Sequence, residues 1–404
     1  MKIFGTHDSA TITQFEQVRE RAVDAALMAD GHLGYVMPIG GVAAYRDMVS
    51  VAGVGFDIGC GNAAIRTDLT LDDLGDTAAG VHLALSSLAD EIVTTISFGV
   101  GHRNRADDAP VDDPLFDDPA WDAVPKAHRK SLRDKARQQL GTVGSGNHYV
   151  DVFADESGAL WVGVHFGSRG FGHTVASGFL AVGQGRAWDE RAPQREVLLD
   201  LEQPVGHDYW HLMNLAGRYA YVGREWVARK VVSLLNAREE ELVHNHHNFA
   251  WKEEHEGDEV VVVRKGATPA FPGQKGFIGG SMGDDAVIVQ GATHDLHVDA
   301  QREALYSTVH GAGRVMSRTQ AAGKRNRRTG KVISPGRVTP EMMQQWLAEK
   351  DVILRGGGLD ESPQAYRRLP EVLEAQEGTV EILHILRPLV VVMAGEAEFD
   401  PYKD

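Results

Sequence analysis

GFDIGCGN, residues 55–62, sets Asp57 and Cys60 three positions apart among glycines at 55, 59 and 61, and Cys60 is the only cysteine of the chain. The glycines free the backbone to turn tightly around both side chains. A carboxylate and a thiolate at this spacing can reach one metal ion or bridge two. A lone cysteine is more often a small buried apolar residue, so the stretch takes its meaning from its surroundings.

Residues 29–67 around it read as glycine-rich loops and short strands. Upstream, 11–27 reads as an amphipathic helix, with Thr13 as cap and Glu16 completing a capping box. Downstream, 77–98 reads as a helix, and 105–127, acidic and proline-rich, as a solvated surface excursion. ALWVGVHF (159–166) is a buried-strand pattern, and 208–243 is the longest helical region. VVVVRKG (260–266), AVIVQG (286–291) and LRPLVVVMAG (386–395) read as strands, and a helix starts at the Thr339 cap with Pro340 in its first turn. Strands and helices mix without a regular βαβ alternation, which predicts one large α+β domain over residues 1–404.

With 41 basic and 57 acidic residues the net charge is −16. That disfavours broad attraction to nucleic acid or an anionic membrane but leaves room for a local basic groove, and basic residues cluster between Arg314 and Arg337. No apolar run is long enough to span a bilayer, no secretory signal is visible, and one cysteine excludes an internal disulfide framework. The expected location is the cytoplasm.

Eighteen histidines are many, and several fall in glycine-rich loops. GTVGSGNHYVDV (141–152) carries His148 after three glycines. VHFGSRGFGH (164–173) runs a strand into His165 and a turn holding Arg169, whose fork suits a phosphate. HNHHNFAWKEEH (244–255) ends the long helical region, where His244 and His247 would share a helix face. STVHGAGRVMSR (307–318) leaves His310 uncovered beside small residues, with Arg314 and Arg318 on one face if a helix starts there. An exposed imidazole near cations suits attack on a phosphate. Each loop also has a plain reading as a surface turn or a solvated helix end. Together, Asp57, Cys60, His148, His165 and His247 offer ligands for one or two divalent ions, and this donor set suits Mn, Fe, Co or Zn better than Mg or Ca.

In this order the loops resemble the RtcB family of RNA ligases. The likeness begins at MADGHLGYVMPIGG (28–41), runs through DIGCGN, GSGNH, VHFGSRG, HHNFAWKEEH, RKGAT, GGSMG and HGAGRVMSR, and ends near DESPQAY (360–366). It implies strands stacked around a deep metal-lined cleft with flanking helices. It also implies GTP- and manganese-dependent joining of RNA 3′-phosphate or 2′,3′-cyclic phosphate ends to 5′-hydroxyl ends, in RNA repair or tRNA splicing. His310 matches the histidine that takes GMP covalently. Asp57 and Cys60 match the first ligands, with Cys60 bridging two ions, His148 and His165 on one ion and His247 on the other. Asn147, Ser281, Gly311, Ala312, Gly313 and Tyr366 match positions around the nucleotide, and Asp151 and Met393 occupy base-contacting positions. Arg169, Arg314 and Arg318 are candidates for RNA phosphates, on charge and position.

The chain departs from the family pattern near the base. Asp151 replaces a longer Glu, Ala286 aligns with a frequent serine, Met393 stands where a lysine is usual, and the chain runs nine residues past Gly395. Losing a partner at a base edge weakens discrimination more than it weakens phosphate chemistry, so the expected preference for GTP is relaxed or altered. Two other readings carry forward: a metal-dependent nucleotidyltransferase or phosphohydrolase, and a noncatalytic RNA-end-binding protein. The thiolate and exposed imidazole speak against the last.

Overall fold

The computed structural model describes residues 2–325, 332–395 and 398. An eight-stranded sheet carries the cleft. Its path runs Lys275–Ile278, Ala286–Gly291, Val380–Gly395, Tyr149–Ala154, Ala159–Phe166, Gly61–Thr70, Glu239–His246, with Ile353–Gly357 added in parallel to Val380–Gly395. The pairs along the path are antiparallel. The sheet curls until its ends meet: Phe277 N–H donates to Asn245 Oδ1 at 3.1 Å, and Asn62 Nδ2 donates to the Phe277 carbonyl at 2.9 Å.

A five-stranded sheet, in the order Lys2–Ile3, Asp24–His32, Ile39–Tyr45, Asp258–Lys265, Asn248–His255, packs against it. Val42 and Val262 of this sheet share a core with Ile278, Val287 and Val289 of the larger one. The Pro204–Leu234 helix crosses behind the Gly61–Thr70 and Ala159–Phe166 strands. It buries Leu212, Ala216, Tyr219, Gly223, Val227 and Val231, spaced three or four apart on one face. The fold is α+β, as expected. Among the described residues no helix is long and apolar enough to cross a membrane.

Several expected elements stand: Ala78–Thr95 is a helix, Ala159–Phe166 is buried throughout, and Ala286–Gly291 is a strand. Thr339 caps the Pro340–Glu349 helix by accepting from Met342 N–H. Others differ. The first helix is Ser9–Arg19, and its cap is Asp8, which accepts from Thr11 N–H at 2.9 Å; Thr13 instead bonds back to the Ser9 carbonyl. The remainder of that segment gives way to the Asp24–His32 strand.

The long helix stops at Leu234, and the histidine cluster lies on the Glu239–His246 and Asn248–His255 strands, so His244 and His247 share no helix face. The 105–127 segment is not simply solvated. Asp113 and Asp118 cap two short 3-10 turns begun by Pro114 and Pro119, which bury Leu115, Phe116 and Trp121. Its acids serve partly as caps rather than as solvated charge. Arg318 opens a short helix, Arg318–Ala322, whose cap is Ser317, which leaves Arg314 outside it. Much of the basic cluster beyond Arg325, and most of the segment past Gly395, lies outside the described residues.

Candidate active site

The candidate ligands cluster at the ends of neighbouring strands. Cys60 directly precedes Gly61–Thr70, His165 is the penultimate residue of Ala159–Phe166, His148 directly precedes Tyr149–Ala154, and His247 separates the strands Glu239–His246 and Asn248–His255. Strand pairing sets Asn62 opposite both His165 and Asn245, and Tyr149 opposite His165. Gly61 permits this approach, because a Cβ there would lie 2.1 Å from the Asn245 carbonyl oxygen.

Two overlapping ligand sets result, each with its donor atoms within 4.8 Å of one another: Cys60, His165, His247, and Asp57, Cys60, His148. Cys60 belongs to both, as a bridging thiolate requires. His165 groups with His247 rather than with His148, which differs from the expected partition. Cys60 Sγ lies 3.7 Å from His165 Nε2 and 3.8 Å from His148 Nε2, and His148 Nε2 lies 3.1 Å from Asp57 Oδ2.

The surrounding hydrogen bonds suit metal ligation. His165 Nδ1 is 2.6 Å from Asn62 Oδ1 and His148 Nδ1 is 2.8 Å from the Val143 carbonyl, so each Nδ1–H donates outward and leaves the Nε2 lone pair facing Cys60. Among the described residues His247 Nδ1 has no hydrogen-bond partner although it is buried, the condition a bound ion would relieve. Burial pushes His165 and His247 well below the usual imidazole range, so both stay neutral, the ligand form. Burial would raise Asp57, but His148 and Arg169 hold it below its ordinary value. Burial and then Asp57 push the Cys60 thiol up, opposed by the Arg224 cation. A divalent ion would favour the thiolate.

His310 stands beside this cluster, its ring centroid 4.9 Å from that of His247. Its Nδ1 lies 2.5 Å from Asp30 Oδ2, which also accepts the His310 backbone N–H at 3.0 Å. Asp30 is fully buried. Nδ1–H therefore faces Asp30 and Nε2 carries the free lone pair. Gly313, at φ 71°, passes so close that a Cβ would lie 2.3 Å from the Asp30 carbonyl oxygen. His32, pulled down to about 4 by burial, adds a neutral imidazole to the same wall.

Asp57, Cys60, His148, His165, His247 and His310 line one cleft of about 2190 Å³, together with Asn147, Asp151, Arg169, Ser281, Gly311, Ala312, Gly313, Arg314, Arg318, Tyr366 and Met393. The residues that the family likeness matches to ligand, nucleophile and nucleotide roles, and the three candidate arginines, are thus brought to one place, whereas His244 is not among the cleft-lining residues. Arg169, at φ 56°, approaches His148 Nδ1 at 3.2 Å. Arg314 donates to Glu361 at 3.0 Å and to Tyr366 Oη at 2.7 Å, and Arg318 donates to Glu361 at 2.8 Å. Tyr366 in turn donates to Glu361. Both arginines therefore reach the cleft partly neutralised.

Elsewhere along the cleft wall, Tyr149 stacks on His165 at 5.3 Å, and the next two residues along bring Asp151 to the same strand face. Asp151 is buried with Oδ1 unpartnered, and burial pushes its carboxyl well up. Met393 packs with Met282, Leu347 and Val391. Ala286 is not among the cleft-lining residues; it is packed with Phe153, Trp161 and Phe277.

Sequence reasoning assigned no role to Asp30, Asn62, Arg224 or Glu361. Asp30, Asn62 and Glu361 lie inside the stretches that carry the family likeness, and that was their only signal. Arg224 sits mid-helix with no local mark.

The geometry defines a class: an α+β protein whose curled sheet gathers a cysteine thiol, three imidazoles and a carboxylate beside a carboxylate-held histidine. The family model described as "tRNA-splicing ligase RtcB" matches residues 11–121 and 115–394. The chain is 32% identical to "RNA-splicing ligase RtcB" of Escherichia coli (strain K12), covering 91% of this chain and 89% of that protein. It is 32% identical to "tRNA-splicing ligase RtcB" of Archaeoglobus fulgidus (91% and 87% covered) and 31% identical to that of Thermococcus kodakarensis (90% and 86%). The chain belongs to the RtcB family of RNA ligases.

Proposed function

We propose that this RNA ligase joins RNA 3′-phosphate or 2′,3′-cyclic phosphate ends to 5′-hydroxyl ends, using GTP and manganese, through a GMP adduct on His310. One observation carries the reading: His310, with Nδ1 held by buried Asp30, lies beside two candidate ligand sets that share Cys60. Residues 1–404 act as one catalytic domain in this reading, in RNA repair or tRNA splicing. A reducing cytoplasmic setting, which keeps Cys60 a free thiol, belongs to the same proposal.

Manganese held by Asp57, Cys60, His148, His165 and His247 would supply Lewis-acid charge to the phosphates. His310 Nε2 attacks the α-phosphorus of GTP; the P–N bond forms as the bond to pyrophosphate breaks. Asp30 stabilises the imidazolium that this attack produces. A 2′,3′-cyclic phosphate end first takes up water, which breaks the P–O2′ bond and leaves a 3′-phosphate; an oxygen of the RNA 3′-phosphate then takes the guanylate from His310, and the P–N bond breaks. The RNA 5′-hydroxyl attacks the activated 3′-phosphate, and GMP leaves. Arg169, Arg314 and Arg318 face the phosphates, while Asn147, Ser281 and the turn Gly311, Ala312, Gly313 shape the nucleotide side. Tyr366, Asp151 and Met393 border the base, and an apolar Met393 with a buried Asp151 supports relaxed choice among nucleotides.

A nicked RNA with 3′-phosphate and 5′-hydroxyl ends, incubated with manganese and GTP, tests the reading. Sealing is expected, and His310→Ala abolishes it. A protein–GMP adduct without sealing marks a nucleotidyltransferase, phosphate release alone a hydrolase, and RNA binding without either a noncatalytic protein. Parallel incubations with each labelled NTP test base choice; strict, efficient use of GTP rejects the relaxed preference.

A further inference from the structure

Arg224 lies in the Pro204–Leu234 helix and is fully buried. A buried cation is ordinarily paired with a carboxylate, since desolvating it costs several kcal/mol. Among the described residues Arg224 forms no ion pair. Its hydrogen bonds go to backbone carbonyls and imidazoles instead. Nη1 donates to the carbonyls of Gly59 at 2.7 Å and Phe166 at 2.5 Å. Nη2 meets His246 Nδ1 and Nε meets His244 Nε2, both at 2.9 Å.

Three of these four partners are sequence neighbours of candidate ligands. Gly59 precedes Cys60, Phe166 follows His165, and His246 precedes His247. Cys60, His165 and His247 are the members of one ligand set. They sit on adjacent strands, where Gly61 pairs with both Phe166 and His246. One rigid guanidinium therefore grips all three ligand-bearing segments from behind.

We propose that Arg224 is the positioning residue of this metal centre, its planar fork setting the mutual spacing of Cys60, His165 and His247. The inference rests on the metal reading of the site. The fork explains the residue type. Arginine presents five donors in a fixed plane, whereas lysine is a point charge that cannot hold two carbonyls and two imidazoles in one plane. Its positive charge also faces a centre whose cysteine ligand binds as thiolate. Helix and ligands thereby become coupled: the helix backbone holds the guanidinium, and the guanidinium holds the strand ends.

Cobalt(II) titration of the full chain tests this, because thiolate-to-cobalt charge transfer and the d–d bands report ligand identity and geometry without any catalytic step. Cys60→Ala identifies the thiolate band. Arg224→Lys keeps the charge and loses the fork. It is expected to melt near the wild-type temperature without metal, to bind cobalt about 10- to 100-fold more weakly, and to show shifted d–d bands. His246→Gln, which removes the imidazole beside His247 and its 3.0 Å contact with the Gly59 carbonyl but leaves the Arg224 fork on Gly59 and Phe166, is expected to weaken binding in the same direction by less. Wild-type affinity and spectrum in Arg224→Lys overturn the positioning role. If Arg224→Lys does not fold, unchanged cobalt binding by His246→Gln overturns it. Failure of the wild-type chain to bind cobalt or manganese overturns the metal reading instead.

Discussion

Asp30 decides which nitrogen of His310 keeps a free lone pair. One carboxylate oxygen meets both the His310 Nδ1 and its backbone N–H, so ring and backbone are held together. Asp30→Asn keeps the shape but weakens support for a charged imidazole and lets the other tautomer form. The expected result is a fall in GMP-adduct rate on the order of 10²–10⁴-fold with little change in melting temperature, read by transfer of labelled GMP to the protein. An unchanged rate would show that Asp30 serves the fold alone. His310 was legible in the sequence through its small neighbours and nearby arginines. Asp30 was not, because 280 residues separate it from the ring it holds.

Among the elements, glycines control how closely the ligand-bearing strands approach. At Gly167 a Cβ would lie 2.4 Å from Asp57 Oδ1, a side-chain atom that can move aside. Gly167→Ala should therefore fold, yet displace Asp57 and weaken the Asp57–Cys60–His148 set by about tenfold or more. Calorimetric metal titration should then show one retained site and one weakened site. At Gly61 the neighbour is the Asn245 carbonyl in the paired strand, only 2.1 Å from an added Cβ. Gly61→Ala must push strand backbones apart, and a loss of about 1–3 kcal/mol or more is expected in denaturant unfolding. Equal behaviour of the two variants would contradict this distinction between yielding and unyielding neighbours.

Elements were legible where burial was uniform, as in Ala159–Phe166, or where a cap stood next to proline, as at Thr339. The 244–255 stretch misled because His244 and His246 belong to a strand face whose partner is Arg224 of the preceding helix. Polar residues on a strand face opposite a buried cation carry no alternation of apolar and polar residues, so the period-2 signal was missing.

Across the whole molecule, two buried carboxylates are tied to arginines. Arg264 is fully buried and grips Glu253 at 2.5 and 3.1 Å, while Glu361 receives Arg314 and Arg318. Burial alone would raise both carboxyls, but Arg264 holds Glu253 below the usual range, and Arg318 with Arg314 hold Glu361 below it. A carboxylate depressed in the folded state binds its proton more readily when unfolded. Its stabilisation is therefore complete above the ordinary carboxylate pKa and is lost as pH falls through the lower folded value. Melting temperature should be level from neutral pH down to about pH 5 and drop below about pH 4. Glu361→Gln should cost about 1–3 kcal/mol, because Arg314 and Arg318 lose their shared carboxylate while Arg314 keeps Tyr366 and the Asp360 carbonyl and Arg318 keeps the Asp360 carboxylate, and should flatten that acid limb. A variant with the same acid limb as wild type would place the titration elsewhere.

The sequence by itself determined the α+β class and the family, and it singled out the candidate ligands, because glycine-flanked histidines and one cysteine keep their chemistry wherever the chain carries them. Only the tertiary structure decided how those ligands divide into sets, which carboxylate holds His310, and that Arg224 stands behind the centre. Those relations join residues far apart in the chain, and local patterns of period, cap and turn hold no information about which distant side chain fills the space beside them.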